Sequence, residues 1–153
     1  VNVTMITDYP TAGEAATLPL EFAWAKTDAR IAAAFALFAK VAEETGPIHL
    51  DAPVMTLVMD HIVRWQGEAP GMGRKWVDQA VRDLPEPQRP AARLALLTAL
   101  ASYQVTDADI AAFRAQHPTD AALIGVTGWA SFQAMRRISN WLHAPEASPD
   151  FFI

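Results

Sequence analysis

The chain has no cysteine among its 153 residues. That absence removes disulfides, thiolate metal sites, thiol nucleophiles and dithiol redox chemistry from what these residues can do. Long apolar runs are missing too: no stretch of about 18 residues, the length a membrane span needs, is free of charge or proline. The opening Val1-Asn2-Val3-Thr4-Met5-Ile6-Thr7-Asp8 has no basic segment followed by an apolar one. No signal peptide is expected on that basis, and the default reading is a cytoplasmic protein with no membrane partner. Basic residues are few, with 12 Lys+Arg against 17 Asp+Glu and a net charge of −5, and they form no cluster. A nucleic-acid partner, which needs cations to neutralise phosphates, is not expected.

The remaining composition is that of a folded domain, 52% hydrophobic with a mean hydropathy of +0.10. A chain of this length hides roughly two-thirds of its unfolded surface, so a core forms without staples or metals. Periodicity divides the chain into an irregular arm over 1–26, an all-α domain over 27–145 and a tail over 146–153. The arm contains a turn at Tyr9-Pro10 and the apolar Leu18-Pro19-Leu20, Phe22 and Trp24. Thr27 or Asp28 caps a first helix to about Glu44, stopped by Gly46-Pro47, with Ile31, Phe35, Phe38 and Ala42 as its core stripe. Asp51 caps a second, ended by Gly67, whose Val54, Val58, Ile62 and Trp65 share one face. A short third helix runs from about Arg74 to Leu84. The fourth, from about Gln88 to Gln104, reads LALLTALA at its centre and is expected to be buried nearly all round. Thr106 and Asp109 form a capping box that opens the fifth, and Pro118-Thr119-Asp120 starts a sixth that runs to about His143 and stops at Pro145. The fold class is all-α, about six helices, with no strand alternation anywhere.

The second helix carries the densest set of chemistry-bearing side chains: Asp60, His61 and Arg64, with Trp65 beside them and Glu68 just beyond. Asp60–Arg64 and His61–Arg64 are helical neighbours at i,i+4 and i,i+3. An imidazole exchanges protons near neutral pH and a guanidinium grips a carboxylate in two hydrogen bonds, a combination suited to an acidic substrate. The plainer reading is a surface Asp–Arg pair with His61 packed on Trp65. Arg137, at the edge of the sixth helix's apolar stripe, is either a salt bridge fixing that helix or a ligand anchor. Trp129, Gln133, Arg136 and Asn140 share another face of the same helix and read as a subunit interface. His49, His117 and His143 rank behind His61. No His or carboxylate spacing matches a metal site, so no metal and no cofactor is expected. Gly71-Met72-Gly73-Arg74-Lys75 lacks the spacing of a phosphate loop and reads as a turn.

From 84 to 145 the chain reads LPEPQRPAARLALLTALASYQ and then VTDADIAAFRAQHPTDAALIGVTGWASFQAMRRISNWLHAP. A buried helix after a Pro-rich break, a short helix with a Val-Thr-Asp cap, and a last helix containing Phe132-Gln133-Ala134-Met135-Arg136-Arg137-Ile138 resemble the C-terminal part of the carboxymuconolactone decarboxylase and alkylhydroperoxidase-D-like superfamily. The peroxidase branch carries a Glu-x-Cys-x-x-Cys-x-x-x-His pattern upstream, which this chain lacks, so it resembles a member without the catalytic cysteines. The decarboxylase branch, whose acid–base chemistry needs no thiol, fits better, although none of its catalytic residues aligns with a position here. The resemblance implies a homo-oligomer, a trimer or hexamer. The resulting expectation is a cofactor-independent enzyme of decarboxylase, isomerase, lyase or cyclase type acting on a small organic acid or apolar metabolite. His61, Asp60 and Glu68 would be catalytic, and Arg64, Trp65 and Arg137 would bind substrate. The alternative is a non-catalytic small-molecule binding or oligomeric interaction protein.

Overall fold

Six α-helices are present in the computed structural model, which describes residues 16–143. They are α1 (Ala29–His49), α2 (Ala52–Arg64), α3 (Lys75–Val81), α4 (Arg89–Leu100), α5 (Asp107–Arg114) and α6 (Asp120–His143). Short 3-10 turns lie at Leu20–Thr27, Glu86–Gln88 and Ser102–Gln104, and no strand occurs among the described residues. The expected Tyr9-Pro10 turn and the stop at Pro145 lie outside those residues.

The centre of the fold is α4, which packs against α2, α3, α5 and α6. Ala91, Ala92 and Leu94 to Leu97 are all buried, as the LALLTALA run predicts. The helix is shorter than expected because Ala101 leaves helical geometry (φ −153°, ψ 55°) and the chain re-enters as a 3-10 turn.

Helix α1 differs from expectation in two ways. It continues through Pro47 to His49. Pro47 lacks the N–H that would donate to Glu43 O, yet Leu50 N–H still donates to Gly46 O at 2.9 Å, so the last turn closes beyond the proline. Its buried face is also not the aromatic stripe: Ala36, Ala39, Ala42 and Gly46 are buried, Phe35 is half-buried, and Ile31 and Phe38 are exposed. Close approach to α6 explains the rotation. A Cβ built on Gly46 would lie 2.6 Å from Trp129 Nε1, so the two helices meet through small residues that leave room for the indole. The larger side chains of α1 stand at the rim, where Phe35 packs on Phe22 and Phe38 on Phe132 at 5.0 Å between ring centres.

Part of the sequence-defined arm is ordered on the body. Phe22 is buried between Phe35 and Phe132. The Ser139 hydroxyl donates to Glu21 O at 2.6 Å, and Arg136 pairs with the carboxylates of Glu21 and, at 2.7 Å, Glu43. The 3-10 turn is thereby tied to both α1 and α6.

Asp109 joins α3, α4 and α5. The capping box expected at Thr106 is present: the Thr106 N–H and hydroxyl both donate to Asp109 Oδ2, at 2.8 and 2.7 Å. The same carboxylate also accepts from Arg74 Nη2 at 2.6 Å and from Arg93 Nε at 2.9 Å. Burial pushes the Asp109 carboxyl pKa up, but the hydrogen bonds from Thr106, Arg74 and Arg93 outweigh it and bring it down to about 2. Arg93 in turn reaches Asp78, so one buried carboxylate organises three helices.

Candidate functional site

The residues singled out on the second helix divide into two groups. Asp60 and Arg64 pair with each other at 3.8 Å on the open surface, where such a pair contributes little. His61 is half-buried, and its Nδ1 donates to Leu57 O at 2.8 Å. In the neutral ring that leaves Nε2 as the acceptor. Beyond the helix, Trp65 Nε1 donates to Glu68 O at 2.7 Å and the Gln66 N–H donates to Glu68 Oε2 at 3.1 Å. The Glu68 carboxylate therefore closes its own loop. Gly67 holds the turn at φ 95°, a conformation that favours glycine, with the Trp141 ring 3.7 Å from where its Cβ would be.

Arg137 brings α6 to this corner. Its Nε and Nη2 both lie 3.3 Å from Trp65 O, the carbonyl at the C-cap of α2, and its guanidinium stacks 5.0 Å from the Trp141 ring centre. Trp65 and Trp141 are themselves 5.2 Å apart. A cation at a helix C-terminus satisfies an orphan carbonyl and complements the helix dipole. The salt bridge considered for Arg137 is thus replaced by a backbone contact.

The face expected to form an interface is largely covered within the chain. Trp129 is buried against Gly46, Gln133 is buried, and Arg136 is held by Glu21 and Glu43. Asn140 alone of the four is exposed. The cause is the approach of α1 and the 3-10 turn onto α6, which helical periodicity within α6 does not reveal.

A second constellation lies at the other end of α2. There the end of α1, the start of α2, the start of α4 and the turn after α5 surround a cleft of about 210 Å³ lined by His49, Asp51, Val54, Pro87, Gln88, Ala91, Gln116 and His117. His49 is placed by a glycine: a Cβ on Gly125 would come 2.6 Å from its Cδ2, so only glycine on α6 lets the imidazole lie there. His117 is placed by aromatic stacking on the buried Phe113, at 4.7 Å and 18° between planes, and by its backbone N–H donating to Phe113 O at 3.0 Å. Asp51 occupies the N-cap of α2, yet its side chain makes no hydrogen bond to the helix amides. It accepts instead from Gln88 Nε2 at 2.9 Å. Gln88 Oε1 is buried and has no partner among the described residues.

Two proton-exchanging rings, one carboxylate and two amide side chains thus line a single small cleft with an apolar floor. In the sequence both histidines rank low because each sits at a helix boundary and neither makes a metal-ligand spacing. The available signal was the pairing of each with a boundary residue, Asp51 and Pro118, which marks both as helix-end positions. Among the described residues no three His, Asp or Glu side chains converge as a metal site. No described helix is long and apolar enough to cross a membrane.

Comparison with known proteins gives one informative similarity. An alkyl hydroperoxide reductase of Mycobacterium tuberculosis (strain ATCC 25618 / H37Rv) is 43% identical over 131 residues, which are 86% of this chain and 38% of that protein. The chain therefore spans well under half the length of this relative. No family model and no solved structure matches the chain.

Proposed function

Because the chain belongs to the carboxymuconolactone decarboxylase and alkylhydroperoxidase-D-like superfamily, we propose that it is a thiol-independent member that takes a small molecule into the His49–His117 cleft and exchanges protons with it. The relative's name describes hydroperoxide reduction by that longer protein. These 153 residues contain no cysteine, so a thiol-dependent reduction would have to draw its thiols from elsewhere. The scaffold carries over to this chain more directly than the reaction does.

The observation that carries the reading is the convergence of His49, His117, Asp51 and Gln88 on one cleft. Acid–base work needs a group that takes a proton and one that gives it, within reach of one bound molecule. Two imidazoles provide both roles without a cofactor. Asp51 is oriented through Gln88 and, among the described residues, is the only lining side chain of fixed charge. A purely binding role uses the same cleft, and turnover of a bound compound separates the two.

The corner formed by Trp65, Arg137 and Trp141 supports a second reading, with His61 as acid–base and Arg64, Asp60 and Glu68 around it. Its favouring observation is that Arg137 is held by a backbone carbonyl and a ring, with no carboxylate partner among the described residues. The cleft ranks above it because Asp60, Arg64 and Glu68 are each occupied by local contacts.

The test is a panel of ring-sized compounds screened by ligand-observed NMR against the native chain and the variants His49→Ala, His117→Ala and His61→Ala. The reading expects the first two to lose binding with unchanged helical circular dichroism, and the third to keep it. Binding lost only in His61→Ala would move the site to the α2–α6 corner.

A further inference from the structure

The chemistry of the ligand is inscribed in the orientation of one amide. Resting on the assignment of the cleft as the site, we infer that it selects an uncharged, ring-sized compound bearing a hydroxyl or N–H donor, which Gln88 Oε1 accepts, and discriminates against carboxylates. Of the two ligand classes the sequence suggests, a small organic acid or an apolar metabolite, this choice departs from the first and lies nearer the second.

The amide orientation follows from Asp51. A carboxylate accepts only, so the Gln88 atom 2.9 Å from Asp51 Oδ2 is the NH₂ group. Oε1 is then fixed as an acceptor. It is buried, and it has no partner among the described residues. Buried acceptors are nearly always satisfied, so an orphan beside a cleft points to a donor supplied from outside the protein, by a water or a ligand. Gln88 is itself one of the residues that line the cleft, so the orphan oxygen belongs to the cleft wall.

Charge argues in the same direction. Among the described residues Asp51 is the only cleft-lining side chain with a fixed charge, and it is negative. Among the described residues no lysine or arginine lines the cleft to grip a carboxylate. Val54, Pro87 and Ala91 supply apolar wall against which a ring packs. The volume of about 210 Å³ exceeds the roughly 150 Å³ of an engineered protein cavity that admits benzene. A single ring with one polar substituent therefore fits, and a molecule of drug size does not.

The experiment titrates the native chain with phenol, anisole and benzoate, following backbone amides by ¹H–¹⁵N NMR. Phenol carries the donor, anisole has the same ring without it, and benzoate carries the carboxylate. Phenol is expected to shift the amides of residues 49–54, 88–91 and 116–117 and to bind about tenfold more tightly than anisole, the ratio that one neutral hydrogen bond supports. Benzoate is expected to bind more weakly than phenol. The variant Gln88→Leu is expected to erase the phenol-over-anisole preference while anisole still binds. Equal affinity of phenol and anisole, or tightest binding by benzoate, overturns the ligand class and leaves the cleft assignment standing. Shifts confined to residues outside the cleft, or none with any probe, overturn the cleft assignment itself. The comparison of the three probes on the native chain decides the matter even if Gln88→Leu fails to fold.

Discussion

His49 lies where a side chain at position 125 would otherwise be: a Cβ on Gly125 would sit 2.6 Å from His49 Cδ2 and 2.6 Å from Thr45 Cγ2. Replacement of this glycine by alanine gains helix propensity worth up to about 1 kcal/mol. It also drives the new methyl into the imidazole and the threonine, and overpacking of this kind costs about 1–3 kcal/mol. Gly125→Ala is therefore expected to lower stability by about 1 kcal/mol net in urea titration, and to weaken binding in the cleft by displacing His49. Unchanged binding with His49 still in place would show that the ring has room the glycine does not control.

Asp109 ties α3, α4 and α5 together through Arg74, Arg93 and Thr106. Asp109→Asn keeps the shape and removes the charge that balances Arg74 and Arg93. Breaking a buried pair strands its partners, and because both arginines are partly exposed the expected loss is about 2–3 kcal/mol. In a domain of this size that lowers Tm by roughly 5–10 °C, read by thermal unfolding followed by circular dichroism.

The same carboxylate makes stability depend on acid. Its pKa in the fold is about 2, below the 3.8 of a free aspartate side chain. The stabilisation it gives is thus fully present above the unfolded value and is lost as pH falls from about 5 through the folded value. The native chain is expected to lose about 2 kcal/mol of its advantage over Asp109→Asn between pH 5 and pH 2. Stability curves of the two proteins that stay parallel over that interval would contradict the assignment.

Arg137 is expected to behave as a structural clamp. Its two contacts to Trp65 O and its stacking on Trp141 need a planar, forked cation. Arg137→Ala is expected to cost about 1–2 kcal/mol. Arg137→Lys recovers less than half of that, since one ammonium cannot both reach the carbonyl and cover the ring. Full rescue by lysine, measured by chemical denaturation, would reduce the contact to simple charge.

The helices that could be read from sequence are those whose signals are local. The LALLTALA run of α4 and the Thr106–Asp109 capping box are found where their residues place them. The face of α1 could not be read, because Gly46 is buried against Trp129, and Ala39 and Ala42 cluster with Phe22 and Phe132, all side chains of segments outside α1. The same holds for the cleft. His49, against Gly125, and His117, against Phe113, come to line one cleft, and no spacing along the chain encodes that arrangement. The Asp60–His61–Arg64 cluster was conspicuous because it is contiguous, and contiguity on one helix placed Asp60 and Arg64 together on open surface.

The most direct measurement is a crystal structure of the protein soaked with a library of neutral, single-ring fragments. The account predicts density between His49 and His117, with a fragment hydroxyl or N–H on Gln88 Oε1. Fragments gathered at the Trp65–Arg137–Trp141 corner, with the cleft bare at the same concentrations, would contradict it.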